Sequence, residues 1–345
     1  MDFRDYIRTK YLKKNDRILE FGPLIRPLVS KKDYPNVLFA DVRNTEDIKK
    51  LYTNNDYLEA TGLNVDIKSV VEIDYVVKKS YTETFKNTKK FDVVYLSHVI
   101  EHMPDIISFL KDVVNIIKKD GKLVLIYPDS RYCFDHFRNG TTFIDAYDVY
   151  KNNSINGKAV FDFTYNVVNE NNPVFFWNEQ NIANVLPKNI FNESLKSYEK
   201  AFHDELPDDV HFWPFSDYQF VKFLYDMDRA GLLDFEITDF HETQYNTQEF
   251  MIILSLKSKN EVNHTRYKQL LSKIDPVIKY SLTLKQLQDL SNNTIQLEKK
   301  NSELEKTSKV LKKELDSIYN SKKWRYATKI GNIKQIFFGR NNENL

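Results

Sequence analysis

The residues best placed by type and spacing to do chemistry are His98, Glu101 and His102. They stand at i, i+3 and i+4, so a helix would gather them on one face. Two kinds of chemistry fit that face. A histidine, whose ordinary pKa lies near neutrality, can take a proton from a hydroxyl. The same three groups can instead hold a divalent metal, with His211 or His203 as a further ligand. Asp129 and His136 are other candidates for the base. A second constellation lies upstream, at Glu20, Gly22 and Asp41. Asp41 follows Glu20 by 21 residues, close to the spacing at which a carboxylate reaches ribose hydroxyls in doubly wound folds. The loop GPLIRP at 22–27 holds a single glycine. A pyrophosphate cradle needs several glycines and an open helix N-terminus, so that loop argues against a dinucleotide.

These groups need strands whose ends converge. Residues 17–21, 37–40, 70–73 and 93–96 are short apolar runs. They lead to Glu20 and Gly22, to Asp41, to Asp74, and to Ser97 and His98. After His102, Ile106, Phe109, Leu110, Val113, Val114 and Ile117 recur at helical spacing, and Asp120-Gly121 closes that helix. Residues 123–126 predict a fifth strand, closed by Pro128-Asp129. Residues 216–230 predict a helix with Phe220, Phe223, Leu224 and Met227 inward, ended by Gly231. Residues 235–240 and 249–256 predict two strands joined by a polar turn. An NAD-binding sheet would more often continue with parallel crossovers than finish on such a pair.

Between these parts lies residues 130–215, irregular, aromatic and rich in Asn. It carries too many large rings for a disordered linker, and we expect it to cap the strand tips. Rings interspersed with Asn and Asp suit a sugar, and equally suit ordinary core filling. The chain has 345 residues, 41% hydrophobic and 14% aromatic, enough for one large domain and an extension. Its net charge is +1, which offers nucleic acid no global attraction. Cys133 is its one cysteine, so an intrachain disulfide framework is excluded and a reducing, cytoplasmic setting is expected. The first 13 residues are charged and lack the apolar core of an export signal. No run of residues is apolar enough to span a bilayer.

The order of elements from 17 to 256 resembles class I S-adenosylmethionine (SAM) methyltransferases, where a polar tip and an EH pair follow the fourth strand. It is further similar to a bacterial group of methyltransferase-like proteins found in surface-polysaccharide gene sets. The residues that carry this likeness are LEFGPLIRPLV (19–29), VLFADVRNTEDIKKLY (37–52), VEIDYVV (71–77), SHVIEHMPD (97–105) and YPDSRYCFDHFR (127–138). The resemblance implies an α/β, Rossmann-like sheet of seven strands with the last antiparallel, to which the residues themselves add an inserted aromatic cap and a C-terminal coiled coil. It implies SAM as cofactor, with Glu20, Gly22, Asp41, Asp74 and Ser97 around it and Asp74 toward the adenine. His98, His102 and Asp129 are then the catalytic candidates, with Arg131 for an anionic substrate group. The run at 98–102 also resembles the ExxEH element of metal-dependent O-methyltransferases such as the small-RNA 2′-O-methyltransferases, with His98 replacing the first Glu. On that likeness a divalent metal would sit on His98, Glu101 and His102. The expected acceptor is a sugar hydroxyl in a cell-surface polysaccharide or lipid-linked glycan. Two other classes remain open: a metal-dependent nucleic-acid methyltransferase, opposed by the lack of a basic stripe in 1–260, and a scaffold that keeps the fold without catalysis.

The C-terminal part reads separately. Leu290, Leu297, Leu304, Leu311 and Ile318 repeat every seven residues, with Leu287, Thr294, Asn301, Ser308 and Leu315 as the alternate seam. A coiled coil over about 283–320, and with it a homo-oligomer, is expected. Residues 321–340 hold six Lys/Arg, no acid and several rings, which suits an anionic membrane surface at the inner face or a glycosyltransferase partner. The expected divisions are therefore 1–129, 130–215, 216–260, 261–320 and 321–345.

Overall fold

The computed structural model describes residues 1–54, 65–78, 80–183, 185–188, 190–203, 206–207, 209–258 and 261–337. They fall into two units, Met1–Asp275 and Pro276–Leu345. The first is built on seven strands: β1 (Ile18–Phe21), β2 (Val37–Asp41), β3 (Tyr75–Val76), β4 (Phe91–Ser97), β5 (Ile117–Pro128), β6 (Phe235–His241) and β7 (Glu249–Leu256). They form one sheet in the order β3-β2-β1-β4-β5-β7-β6. β1 to β5 pair in parallel, and β7 runs antiparallel between β5 and β6. This is the expected class I methyltransferase sheet.

Alternation along the strands splits the core in two, because successive side chains point to opposite faces. Leu19, Phe21, Val94, Leu96, Leu123, Leu125 and Tyr127 pack on one face against helices α4 (Ile106–Ile116) and α10 (Asp217–Arg229). Ile18, Val37, Phe39, Val93, Tyr95, Val124 and Ile126 pack on the other, against α1 (Phe3–Lys10) and the loop residues Leu28 and Val29. Asp105 caps α4 by accepting from Ser108 N–H, and Ser216 caps α10 in a reciprocal pair with Gln219. Gly231 follows α10 at φ +69°, the left-handed stop expected of it.

Three expectations about elements change. Residues 70–73 do not form a strand; the third strand is Tyr75–Val76. An apolar run becomes a strand only where a neighbour accepts its backbone, and β2 offers its open edge to Tyr75 and Val76. α4 ends at Ile116, four residues before Asp120-Gly121, because Ile117 already pairs with Phe91 of β4. Residues 130–215 are not irregular. They contain α5 (Phe143–Asn152), α6 (Gly157–Asn166), the short α7 (Pro173–Phe176) and α8 (Glu179–Ile182), and α9 (Phe191–Ala201).

The first unit also runs past the last strand. Helix α11 (His264–Ile274) buries Tyr267, Leu270 and Ile274, and the Tyr267 ring stacks on Tyr225 of α10 at 4.7 Å. The second unit holds α12 (Pro276–Asn320) and α13 (Lys322–Phe337). α12 begins on Pro276, a residue suited to a first helical turn, seven residues before the expected start. Its 45 residues make roughly 68 Å of helix. Among the described residues, no helix is long and apolar enough to cross a membrane.

Candidate functional site

The strand ends that converge are those of β1, β2 and β4. At the end of β1, Gly22 takes φ +61°, where a β-carbon is disfavoured. A β-carbon there would lie 2.8 Å from Val99 Cγ2. The backbone at the end of β1 thus passes close against Val99 in the turn after β4, an approach that only glycine permits. Asp41 ends β2 and accepts from Arg43 N–H at 2.9 Å. Burial raises its pKa against the opposing pull of Arg43. These residues fit SAM. Gly22→Ala is expected to lower the melting temperature by the equivalent of about 1–3 kcal/mol, from the left-handed φ and the crowding of Val99 together. An unchanged melting curve would show that the turn relaxes freely.

Glu20 and Asp74 are placed differently from the expected ribose-and-adenine set. Glu20 shares its face with Ile18, away from α4, and both its oxygens accept from Leu28 N–H at 2.8 Å. It therefore pins the loop that follows Gly22. Burial pushes its carboxyl up to about 8, against the Leu28 N–H, which favours the charged form. Asp74 precedes β3 rather than ending a strand. Its carboxylate accepts from Phe39 N–H at 2.8 Å and from Lys31 at 2.6 Å, so it closes the β2 edge. Ser97 is the last residue of β4, as expected.

His98 follows at φ +53°, which turns the chain sharply off the strand. A short 3₁₀ turn, Ile100–His102, comes next in place of the expected helical face. His98 bonds Glu249 at the start of β7, Nε2 to Oε2 2.9 Å, and its Nδ1 lies 4.0 Å from Glu101 Oε1. Burial works against charge on His98, but Glu249 and Glu101 outweigh it and raise its pKa. Glu101 is fully buried, and neither of its oxygens has a hydrogen-bond partner among the described residues. Burial pushes its pKa up, and His211 and His98 pull it back in part.

Two further imidazoles face the same oxygen. His102 Nε2 is 3.9 Å and His211 Nε2 is 4.0 Å from Glu101 Oε1, and the two rings meet edge to face at 4.7 Å. The other nitrogen of each is already committed. His102 Nδ1 donates to the Val210 carbonyl at 3.1 Å. His211 Nδ1 bonds Asp135 at 2.5 Å, and Asp135 also accepts from the fully buried Arg138 at 2.8 Å. Burial, then His211, push His102 down to about 3, so its ring stays neutral. Burial opposes ionisation of Asp135, but His211 and Arg138 hold it well below the usual carboxylate range.

Of the sequence candidates, Glu101, His102 and His211 come together, with His98 beside them. Asp129 does not join them. It is buried, and its oxygens accept from Arg131 at 2.5 and 2.9 Å and from Thr243 at 2.6 Å. Arg131 N–H donates to the same carboxylate at 3.1 Å, and the Arg131 guanidinium also reaches Asp217 at 2.6 Å. His136 bonds the Arg131 carbonyl at 2.6 Å, and His203 is exposed at the end of α9. The residues that sequence reasoning missed are Asp135, Arg138 and Glu249. Asp135 lies in the quoted YPDSRYCFDHFR run, but nothing local marks it as the partner of a histidine 76 residues away.

The inserted segment closes this site. Phe212 N–H donates to the Glu101 carbonyl at 2.8 Å, and Phe134 packs on the His211 ring at 4.8 Å. Tyr132 and Trp177 stack at 3.7 Å with planes 4° apart, and Trp177 meets the exposed Tyr245 at 5.2 Å.

Residues 1–156 match the family model described as a methyltransferase domain. The ubiquinone biosynthesis O-methyltransferase of Pelagibacter ubique (strain HTCC1062) is 30% identical over 126 residues, 33% of this chain and 50% of its own. The chain thus spans about half the length of the curated relative it matches. A solved structure described as putative Zn-dependent alcohol dehydrogenases from Rhodobacter sphaeroides aligns with 74% of this chain and 90% of its own, at 12% identity and TM-score 0.38. A SAM-dependent methyltransferase from Aquifex aeolicus aligns over 74% and 89%, at 9% identity and TM-score 0.34. Likenesses this distant carry no argument, so the fold stands on its strand order. Residues 1–156 are thus similar to a methyltransferase domain, and the strand order is that of the class I methyltransferase sheet.

Proposed function

We propose that the protein is a SAM-dependent O-methyltransferase acting on a sugar hydroxyl of a bacterial cell-surface polysaccharide or lipid-linked glycan. What supports this reading above all is the inserted segment. It packs its aromatic rings and the Asp135–His211 pair against the turn that follows β4. An acceptor held by that segment would meet the methyl group at the strand ends. The face of Tyr245, 74% exposed beside Trp177, offers the flat apolar surface on which a sugar ring stacks. The matched relative is by name an O-methyltransferase, which supports oxygen as the accepting atom.

The reaction is an in-line displacement. The hydroxyl oxygen attacks the methyl carbon, the carbon–sulfur bond breaks, and S-adenosylhomocysteine leaves. The hydroxyl proton passes to a base. His98 suits that role better than His102, because its paired carboxylates favour the charged ring while burial keeps His102 neutral. The long heptad helix would pair with a second copy, and the basic segment at 321–340 would meet anionic lipid or a glycosyltransferase. Phe338 in that segment lies outside the described residues.

Asp41 is the residue to test first for the cofactor. Asp41→Ala is expected to lose a charge-assisted pair to the ribose, weakening SAM by about 2–3 kcal/mol in calorimetry. Equal affinity in the variant would remove Asp41 from the site. The acceptor is tested with labelled SAM and separate pools of lipid-linked glycan and RNA. Label in the glycan is expected; label in RNA alone would overturn the sugar reading.

A further inference from the structure

We propose that Glu101, His102 and His211 form a binding site for one divalent transition-metal ion. Three observations carry this. The Glu101 carboxylate is fully buried, and neither oxygen has a hydrogen-bond partner among the described residues. A buried, unbonded carboxylate is costly unless something positive sits beside it. Next, one ligand atom from each of the three residues lies within 4.8 Å of the others. Ligands about 2.0–2.2 Å from zinc stand about 3.4 Å apart in a tetrahedral site. The 3.9 and 4.0 Å spacings to Glu101 close to that with small side-chain rotations.

The third observation is the outer shell. A metal-bound histidine donates its other N–H to a carboxylate or a backbone carbonyl. His211 has Asp135 and His102 has the Val210 carbonyl in those places. Both Nε2 atoms are thereby left with lone pairs facing Glu101. Two imidazoles and one carboxylate suit zinc, iron(II), cobalt(II) or manganese rather than magnesium. Such a set leaves coordination positions open. His98 Nδ1 lies 4.0 Å from the same Glu101 oxygen.

The site joins two distant stretches of chain, the turn after β4 and the end of the inserted segment. An ion there would fasten that segment to the turn after β4. Its role in turnover rests on the methyltransferase reading: a metal could bind the acceptor hydroxyl and ease loss of its proton. The binding itself does not rest on that reading.

The test uses the full, untagged chain stripped with chelator and then titrated with zinc, cobalt(II), manganese or magnesium by calorimetry. One ion per chain is expected, with at least one transition metal bound more than tenfold tighter than magnesium. The cobalt(II) form should show the visible absorption of a low-symmetry nitrogen–oxygen site. Glu101→Gln and His211→Ala should each weaken binding at least tenfold. Asp135→Asn, a positioning change, should weaken it by about 10–100-fold while leaving the stoichiometry at one. Should the variants not fold, a metal-dependent rise in melting temperature of the wild-type chain decides the matter. Stripped wild-type protein that shows neither heat of binding nor a shifted melting curve with any of the ions would overturn the proposal. SAM titration of the stripped protein is read separately, so failure to bind SAM counts against the methyltransferase reading alone.

Discussion

Replacing Arg138 by alanine is expected to cost about 3–5 kcal/mol of folding stability, the loss seen when one partner of a buried ion pair is removed. Arg138 is fully buried and holds three acceptors: Asp135 at 2.8 Å, Asp162 at 3.0 Å and the Ala159 carbonyl at 3.3 Å. Its guanidinium also lies over the Phe163 ring at 5.3 Å. Without it, the Asp135 carboxylate stays buried with His211 Nδ1 as its remaining ring or guanidinium nitrogen partner. Arg138→Lys should recover little, since one ammonium cannot reach two carboxylates in the planar, forked way that guanidinium does. The measurement is a denaturant midpoint at unchanged slope, with Asp135→Asn and the double variant completing a cycle. A loss below about 1 kcal/mol would mean that water replaces the guanidinium and that the segment is held by its apolar contacts.

The second large effect concerns the other end of the chain. A chain ending at Asp275 is expected to fold cooperatively and to sediment as a single copy, while the full chain sediments as an oligomer. The boundary follows from α11, whose Tyr267, Leu270 and Ile274 are buried in the first unit. A cut after the last strand, at 256, would strip that helix and expose the α10 surface beneath it. In α12, Leu290, Leu297, Leu304, Leu311 and Ile318 are each more than half exposed. A partner helix covering such leucines would gain about 1.5–3 kcal/mol for each side chain fully buried. Sedimentation equilibrium of both chains checks this. The same oligomeric mass for the two would place self-association in the first unit and leave the heptads without a partner.

Much of the fold was legible because its signals are local. The apolar runs of β1, β2, β4 and β5, the inward stripe of α10 with Gly231 at its end, and the heptads of α12 are periodicities of 2, 3.6 or 3.5 residues. Those in the first unit survive because local preference and tertiary packing agree, whereas α12 forms its helix with the heptad leucines exposed. The antiparallel finish at β6 and β7 was legible for the same reason. The helices of 130–215 were not, since their apolar faces are interrupted by rings and Asn that serve contacts elsewhere in the fold.

The site divides in the same way. Composition and spacing alone determined that Gly22 and Asp41 would stand at strand ends and that Glu101 and His102 would follow β4. What surrounds them was decided only by the tertiary structure. Asp74 and Val70–Ile73 read as a strand and its tip, yet backbone pairing with β2 chose Tyr75 and Val76 and left Asp74 to close an edge. Asp129 read as a base, yet Arg131 and Thr243 consume its oxygens. His211 and Asp135 meet across 76 residues, and Glu249 reaches His98 across 151. No period in a sequence records such meetings. They arise because burial of the apolar faces brings the ends of distant segments together, and each buried charge must then find its partner there.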